Sequence, residues 1–443
     1  MNLPLRMVPF EQLMLHLDRP HFPNVLAVRL HFRGEVQAEL AQQAFARAVA
    51  RHPLASAMLD STRCNFVQAD APLQLAVHPP FGSWPELWQQ LDRSRPQTLL
   101  ESSREVTRLT IASPHALTDG LGGLQFAQDW MTIYHHLLEP RRGLRLPRIE
   151  PDRLSRRGDL RWARWSFIRK LPLQAVALFG ASKFLLRTPV GLMPGHSARD
   201  ESAQAEAPLP PEFPGLWHTR IPADLVRQLR HVGRRHQATQ HDLLLAALFA
   251  AIARWRSTHG GQSPRDWIRL LVPLTTRTRE DRALPSCNQV TFVQIDRNPR
   301  HIAHLESLAA SISRELGVIR RWELDRTLLF ALRLAGQIPG GIRRMAQSSK
   351  RRATCIATYL GRGFSRLRLP KIPGGYQVGN LQLHDLEMLS PLLPQTPASW
   401  AFFEFRGEII VSLHADLRVL GGDDAQMLLA EFHAALGGLA QLT

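Results

Sequence analysis

Residues Leu243 to Ile252 read Leu-Leu-Leu-Ala-Ala-Leu-Phe-Ala-Ala-Ile. A helix that is apolar on every side has no face to show to water, so the rest of the fold must wrap it. Thr239 stands where such a helix would start, and Asp242 follows three residues later in a capping-box pattern. The elements around it supply the wrapping. Ala223 to His236 is amphipathic through Leu225, Leu229 and Val232, and Asp423 to Leu436 reads as a closing helix. Trp267 to Val272 reads as a buried strand and Gln289 to Ile295 as an alternating one. Trp400 to Phe405 and Ile409 to His414 flank Arg406-Gly407-Glu408, the pattern of a hairpin.

The first half repeats this style. Val25 to Phe32 alternates with Leu26, Val28, Leu30 and Phe32 on one face, and Gly34 ends it. Gln37 to Arg51 has helical spacing, and Pro53 stops it. Glu105 to Ile111 predicts another strand, ended by Pro114. After Gly120 a helix runs through Leu124, Ala127, Met131, Tyr134 and Leu138 to Pro140. A chain of 443 residues is too long for one ordinary domain. The pattern predicts an α/β protein with halves at 1–150 and 216–443, joined by a crossover at 151–215 rich in proline and arginine. Within the crossover Arg157, Arg161 and Arg164 share one helical face, and Trp162, Trp165 and Ile168 another. Such a segment either packs on its own domain or lies at the surface, touching a membrane or guarding an acyl channel.

Lys and Arg number 55 against 38 acidic residues, a net charge of +17. Arginine-rich composition can follow from genome base composition alone; it also favours anionic partners such as an acidic carrier protein, a phosphate-bearing cofactor or an anionic membrane. Zinc-finger spacing, basic-zipper heptads and RNA-binding aromatic signatures are missing, so no nucleic-acid role is expected. Three scattered cysteines, Cys64, Cys287 and Cys355, make neither a disulfide framework nor a thiolate metal site. The first 30 residues have no signal-peptide core, and the apolar stretch Leu171 to Leu186 is shorter than the roughly 20 residues a span needs. The expectation is a cytoplasmic protein, soluble or peripheral at the inner face of the membrane.

The sharpest chemical feature is Ser113-Pro114-His115-Ala116-Leu117-Thr118-Asp119-Gly120, a short loop between a strand and a helix. A histidine there can act as a general base near neutral pH. Asp119 can orient the loop, and Gly120 allows a close approach. Other chemistries fail on inspection: there is no Gly-x-Ser-x-Gly elbow, no phosphate loop and no dinucleotide fingerprint. Adjacent His135 and His136 point in different directions on a helix, so no joint metal site is expected. His52 in Arg51-His52-Pro53 reads as a helix-end residue.

Pro114 to Gly120 resembles the HHxxxDG motif of the acyltransferase superfamily that includes nonribosomal peptide condensation domains, polyketide-associated acyltransferases and wax ester synthase/diacylglycerol acyltransferases. The likeness runs along the chain: Glu11-Gln12-Leu13-Met14, Arg51-His52-Pro53-Leu54, Thr239 to Ala251, Val272-Pro273-Leu274-Thr275-Thr276-Arg277, Asn288 to Val293, and Thr358-Tyr359-Leu360-Gly361. Pro114 replaces the motif's first histidine, Tyr359 replaces the asparagine of a Ser-Asn-x-Gly-like turn, and the late Asp-Phe-Gly-Trp-Gly motif of the plant-type branch is absent.

The resemblance implies two chloramphenicol-acetyltransferase-like subdomains forming a V with a central tunnel open at both ends. It implies His115 as general base, an Asp119–Arg277 ion pair holding the loop, Gly120 as an oxyanion donor and Thr358 as a substrate contact. The implied reaction moves an acyl group, other than an amino-acyl group, from acyl-CoA or a phosphopantetheinyl acyl carrier to a hydroxyl or amine. It needs no covalent acyl-enzyme and no tightly bound cofactor or metal, and suits lipid or secondary-metabolite synthesis. The alternative, motivated by Pro114, is a catalytically idle scaffold that binds a carrier protein.

Overall fold

The computed structural model describes residues 3–69, 75–78, 82–140, 146–159, 172, 187–195, 206–261, 263–347, 350–364 and 367–442. Two large sheets carry the fold. The first has the strand order Lys371–Ile372, Gly375–Val378, Leu381–Leu389, Val25–Arg33, Val106–Pro114, Gln97–Ser102 and Ala76–His78. The second has the order Val290–Arg297, Ile268–Thr275, Cys355–Tyr359, Ala398–Phe405, Glu408–Ala415 and Gly215–Ile221. Most pairings are antiparallel, but Cys355–Tyr359 runs parallel to both of its neighbours.

The helix Gln240–Thr258 sits where the apolar sequence requires. Every residue from Leu243 to Ile252 is buried except Ala250, which is half-buried. Thr239 caps it: its hydroxyl accepts from the Asp242 N–H at 3.3 Å, and the Asp242 carboxylate accepts from the Thr239 N–H at 2.7 Å. The helices Ala38–Arg51 and Gly120–Leu138 occupy the other core, against Val28, Leu30 and Leu109 of the first sheet.

One strand feeds both cores. Ala398–Phe405 is buried along its whole length. Successive side chains of a strand point to opposite faces. Trp400 and Phe402 therefore join the core around Gln240–Thr258, while Ala401, Phe403 and Phe405 join the core around Gly120–Leu138. The hairpin that follows turns at Arg406 and Gly407, both at positive φ (54° and 93°), as a tight two-residue turn demands. The expected hairpin is present, although its run of aromatics did not reveal that it serves two cores.

A second departure from the sequence reading lies at residues 371–389. The strand Leu381–Leu389 pairs with Val25–Arg33, Leu386 opposite Leu30, and so completes the first sheet from the far half of the chain. Local pattern fixes the strand and its buried face, but not which sheet edge accepts it.

Of the two readings of the segment that begins at Arg157, packing or surface, this residue follows the first: it is buried and forks onto Glu11, with Nε to Oε1 at 2.7 Å and Nη2 to Oε2 at 2.8 Å. A bidentate guanidinium–carboxylate pair is the geometry in which such burial is tolerated. Burial pushes the Glu11 carboxyl up, and the neighbouring guanidinium pulls it back. Replacing Arg157 by methionine is expected to cost about 3 kcal/mol in chemical denaturation, the low end for breaking a buried pair, because Glu11 can then take up a proton. Unchanged stability would contradict this. Arg161, Trp162, Arg164, Trp165, Ile168 and residues 173–186 lie outside the described residues. Among the described residues no helix is long and apolar enough to cross a membrane.

Candidate active site

The loop that carries His115 is an extension of the first sheet. Val25 pairs with Pro114, and the His115 N–H then donates to the Asn24 carbonyl at 2.8 Å. The chain turns at once, with the Leu117 N–H on the Pro114 carbonyl at 3.0 Å, and enters the helix Gly120–Leu138. Pro114 can end the ladder there because it has no N–H to contribute.

Asp119 caps that helix and ties it to the other half of the chain. Its Oδ1 accepts from the Gly122 N–H at 2.7 Å. Its Oδ2 accepts from Arg277 Nη1 at 2.6 Å and from the Gln289 N–H at 2.8 Å. Arg277 Nη2 also donates to the Cys287 carbonyl at 2.8 Å. Both carboxylate oxygens are thus engaged away from the imidazole. Gly122 is the glycine this packing demands: a Cβ there would lie 2.2 Å from Thr118 Oγ1 and 2.9 Å from the Cys287 carbonyl. At Gly120, which the sequence singles out, a Cβ would meet the tip of the Leu360 side chain at 3.1 Å.

Asn288 completes the setting of His115. Its Nδ2 donates to the His115 carbonyl at 2.6 Å and lies 3.3 Å from Nδ1 of the ring. Burial pushes the His115 imidazole below its ordinary value. Hydrogen bonds to backbone at His115 and Thr118, and the Asp119 charge, pull it only partly back. The ring is therefore neutral at pH 7, the form that can accept a proton.

His115 lines a cavity of about 580 Å³ whose walls come from both halves of the chain. Leu26 and Met14 contribute from the first half, Leu271, Pro273 and Ile356 from the second. Gly120 and Thr358 line the same space, so the structure brings together His115, Asp119, Gly120 and Thr358, with Arg277 behind Asp119. A second cavity of about 550 Å³ is lined by Asn288, Gln289, Arg6, Gln12 and Leu329. Val290 lines both.

Several residues at this seam escaped the sequence reading. His52 does follow the helix Ala38–Arg51 directly, but it is also a buried strap between the halves. The Ser286 N–H donates to its Nδ1 at 2.9 Å, so Nε2 carries the proton and donates to Asp129 Oδ2 at 3.0 Å. Arg51 Nε reaches the same oxygen at 2.6 Å. Thr118 and Ser286 share a hydroxyl–hydroxyl bond of 2.9 Å. The hint in the sequence was the polar run Ser286 to Gln289 ahead of an alternating strand; nothing local says that it is buried. Among the described residues no group of three or more His, Cys, Asp and Glu side chains converges to hold a metal ion.

This architecture is that of condensation domains: a mixed α/β fold with two chloramphenicol-acetyltransferase-like subdomains. The chain is similar over 99% of its length, and 96% of the other's, to the first condensation domain of the calcium-dependent antibiotic synthetase, at 14% identity and a TM-score of 0.71. It is similar over 100% of its length, and 98% of the other's, to the condensation domain of the Monacolin K polyketide synthase, at 11% identity and a TM-score of 0.68. Polyketide synthase associated protein 5 from Mycobacterium tuberculosis matches over 99% of this chain and 98% of its own, at 14% identity and a TM-score of 0.62. No protein-family model matches the chain, and no curated protein matches it by sequence.

Proposed function

We propose that the protein is an acyltransferase that moves an acyl group from a thioester to a hydroxyl or amine, with His115 as general base. The observation that carries this reading is an imidazole at the wall of a cavity shared by both halves, its backbone held by Asn288 and its loop by the Asp119–Arg277 pair. The solved structures with this fold include domains of peptide and polyketide synthetases, whose names support the choice of reaction class.

In the proposed reaction the acceptor oxygen or nitrogen forms a bond to the thioester carbonyl carbon while His115 takes its proton. The tetrahedral adduct then collapses, the carbon–sulfur bond breaks, and the sulfur leaves with the proton returned by the imidazolium. Gly120, first in its helix and at the cavity wall, offers a backbone N–H to the developing oxyanion. In this reading Thr358, which lines the same cavity, touches substrate. No step passes through a cysteine: burial holds the Cys287 thiol up at about 12 and also raises Cys64 and Cys355, so none offers a thiolate at neutral pH. The donor is acyl-CoA or a phosphopantetheinyl acyl carrier, both anionic, as the +17 charge favours.

The test is acceptor-dependent release of free thiol from each donor class, followed against pH. A base must be deprotonated to work, and the His115 pKa is lowered. Activity is therefore expected to fall on the acid side with a midpoint below that of an ordinary imidazole. Failure to release thiol from either donor class, or an acid limb centred above pH 7, would contradict the proposal.

A further inference from the structure

Large hydrophobic side chains are rarely left in water in groups. Among the described residues seven are exposed, and five of them, Val318, Trp322, Leu334, Ile338 and Met345, fall within 28 positions of one another. Val318, Leu334 and Met345 lie in three successive helices, Leu305–Arg321, Thr327–Ala335 and Gly341–Ala346, while Trp322 follows the first and Ile338 lies between the last two. The most exposed, Leu334 at 52% and Ile338 at 57%, stand at the corner between the last two.

The corner protrudes and is internally fixed. All residues from Arg333 to Gly340 are exposed except half-buried Ala335. The Gln337 N–H bonds the Leu334 carbonyl at 3.0 Å, Ile338 N–H the Ala335 carbonyl at 3.0 Å, and Gly341 N–H the Ile338 carbonyl at 2.9 Å. Gly340 takes a φ of +68°, and a Cβ there would meet nothing within 4 Å. Arg333, Arg343 and Arg344, next to the corner in sequence, are exposed, as are Arg321 and Lys350. Residues 318–352 hold nine Lys and Arg against only Glu323 and Asp325.

We infer that this corner docks on an anionic phospholipid surface, with Leu334 and Ile338 entering the headgroup region and the surrounding cations meeting lipid phosphates. A projecting aliphatic tip ringed by arginine is the chemistry of interfacial membrane contact. A protein interface is depleted of charged residues at its core, whereas this tip stands among arginines. The inner side of the same corner, through Leu329, Arg333, Gly336, Gln337 and Ile342, lines the second cavity, which Asn288 borders from the other side. Docking thus sets that cavity against the bilayer, where a long-chain acceptor or donor dissolved in lipid can reach it. The delivery of such a substrate rests on the acyltransfer reading; the docking itself does not.

Sedimentation of the full-length protein with phosphatidylcholine vesicles, alone or with one third phosphatidylglycerol, tests the inference. Binding is expected at least tenfold tighter on the anionic vesicles. Arg343→Gln with Arg344→Gln is expected to weaken it about 25-fold, at roughly fivefold per charge. Leu334→Ser with Ile338→Ser is expected to abolish it without changing thermal stability, since neither side chain is buried. The His115→Ala variant is expected to bind like the wild type, so docking and catalysis fail separately. Wild-type protein that sediments with neither vesicle, variants that bind undiminished, or a corner that captures an acidic carrier protein and no vesicle would each overturn the inference.

Discussion

His115→Ala is expected to lower kcat/KM for acyl transfer by roughly a hundred- to ten-thousandfold, the contribution of a placed general base. KM is expected to change little, because the cavity walls that would hold the donor belong mostly to other residues, many of them apolar. Stability is expected to stay within about 1 kcal/mol of the wild type. The backbone anchors of the loop, His115 N–H on Asn24 and His115 carbonyl under Asn288, survive the substitution. The lost ring also enlarges a cavity that already exists and opens no new void in a packed core. Steady-state kinetics with a thioester donor, beside a denaturation curve, separates the two effects. A rate equal to wild type, or a loss of activity explained by unfolding, would contradict the assigned role.

Asp119→Ala is expected to reduce both stability and rate. It removes the acceptor for the Gly122 and Gln289 N–H groups and leaves Arg277 without its carboxylate in a nearly buried site. Breaking one side of such a pair costs about 3–5 kcal/mol. Asp119→Asn keeps an oxygen for the helix cap and is expected to cost less. Combining it with Arg277→Met removes both charges and is expected to cost less than the sum of the single changes, since the two groups act as a pair. Additive losses in urea denaturation would contradict direct coupling. A loss of rate with no loss of stability would move Asp119 from holding the loop to taking part in the chemistry.

The parts of this molecule that the sequence announces are those set by local physics. The buried helix around Leu243 to Ile252, the strand–turn–helix at Val106 to Leu138 and the hairpin at Arg406-Gly407 each follow from periodicity and punctuation within a short local stretch of chain. The site is legible to the extent that its loop is: a histidine, an aspartate and a glycine at the end of an alternating strand. The Asp119–Arg277 pairing came from likeness to a family, because its members stand 158 positions apart. Asn288, His52 and Ser286 carry no comparable signature. Their partners lie between 77 and 234 positions away, and hydrogen bonds across such distances leave no local period. The same holds for Arg157, which reads as one arginine among many until Glu11 is placed beside it.

The most direct test of the account is a structure of the protein with a donor analogue whose thioester is replaced by a non-hydrolysable thioether ketone. The carbonyl carbon is expected beside the His115 ring, in the 580 Å³ space between the halves, with room for an acceptor atom at about 3–3.5 Å from it. A donor bound elsewhere on the molecule, or seated in that space with its carbonyl turned beyond reach of an acceptor held by the imidazole, would contradict it.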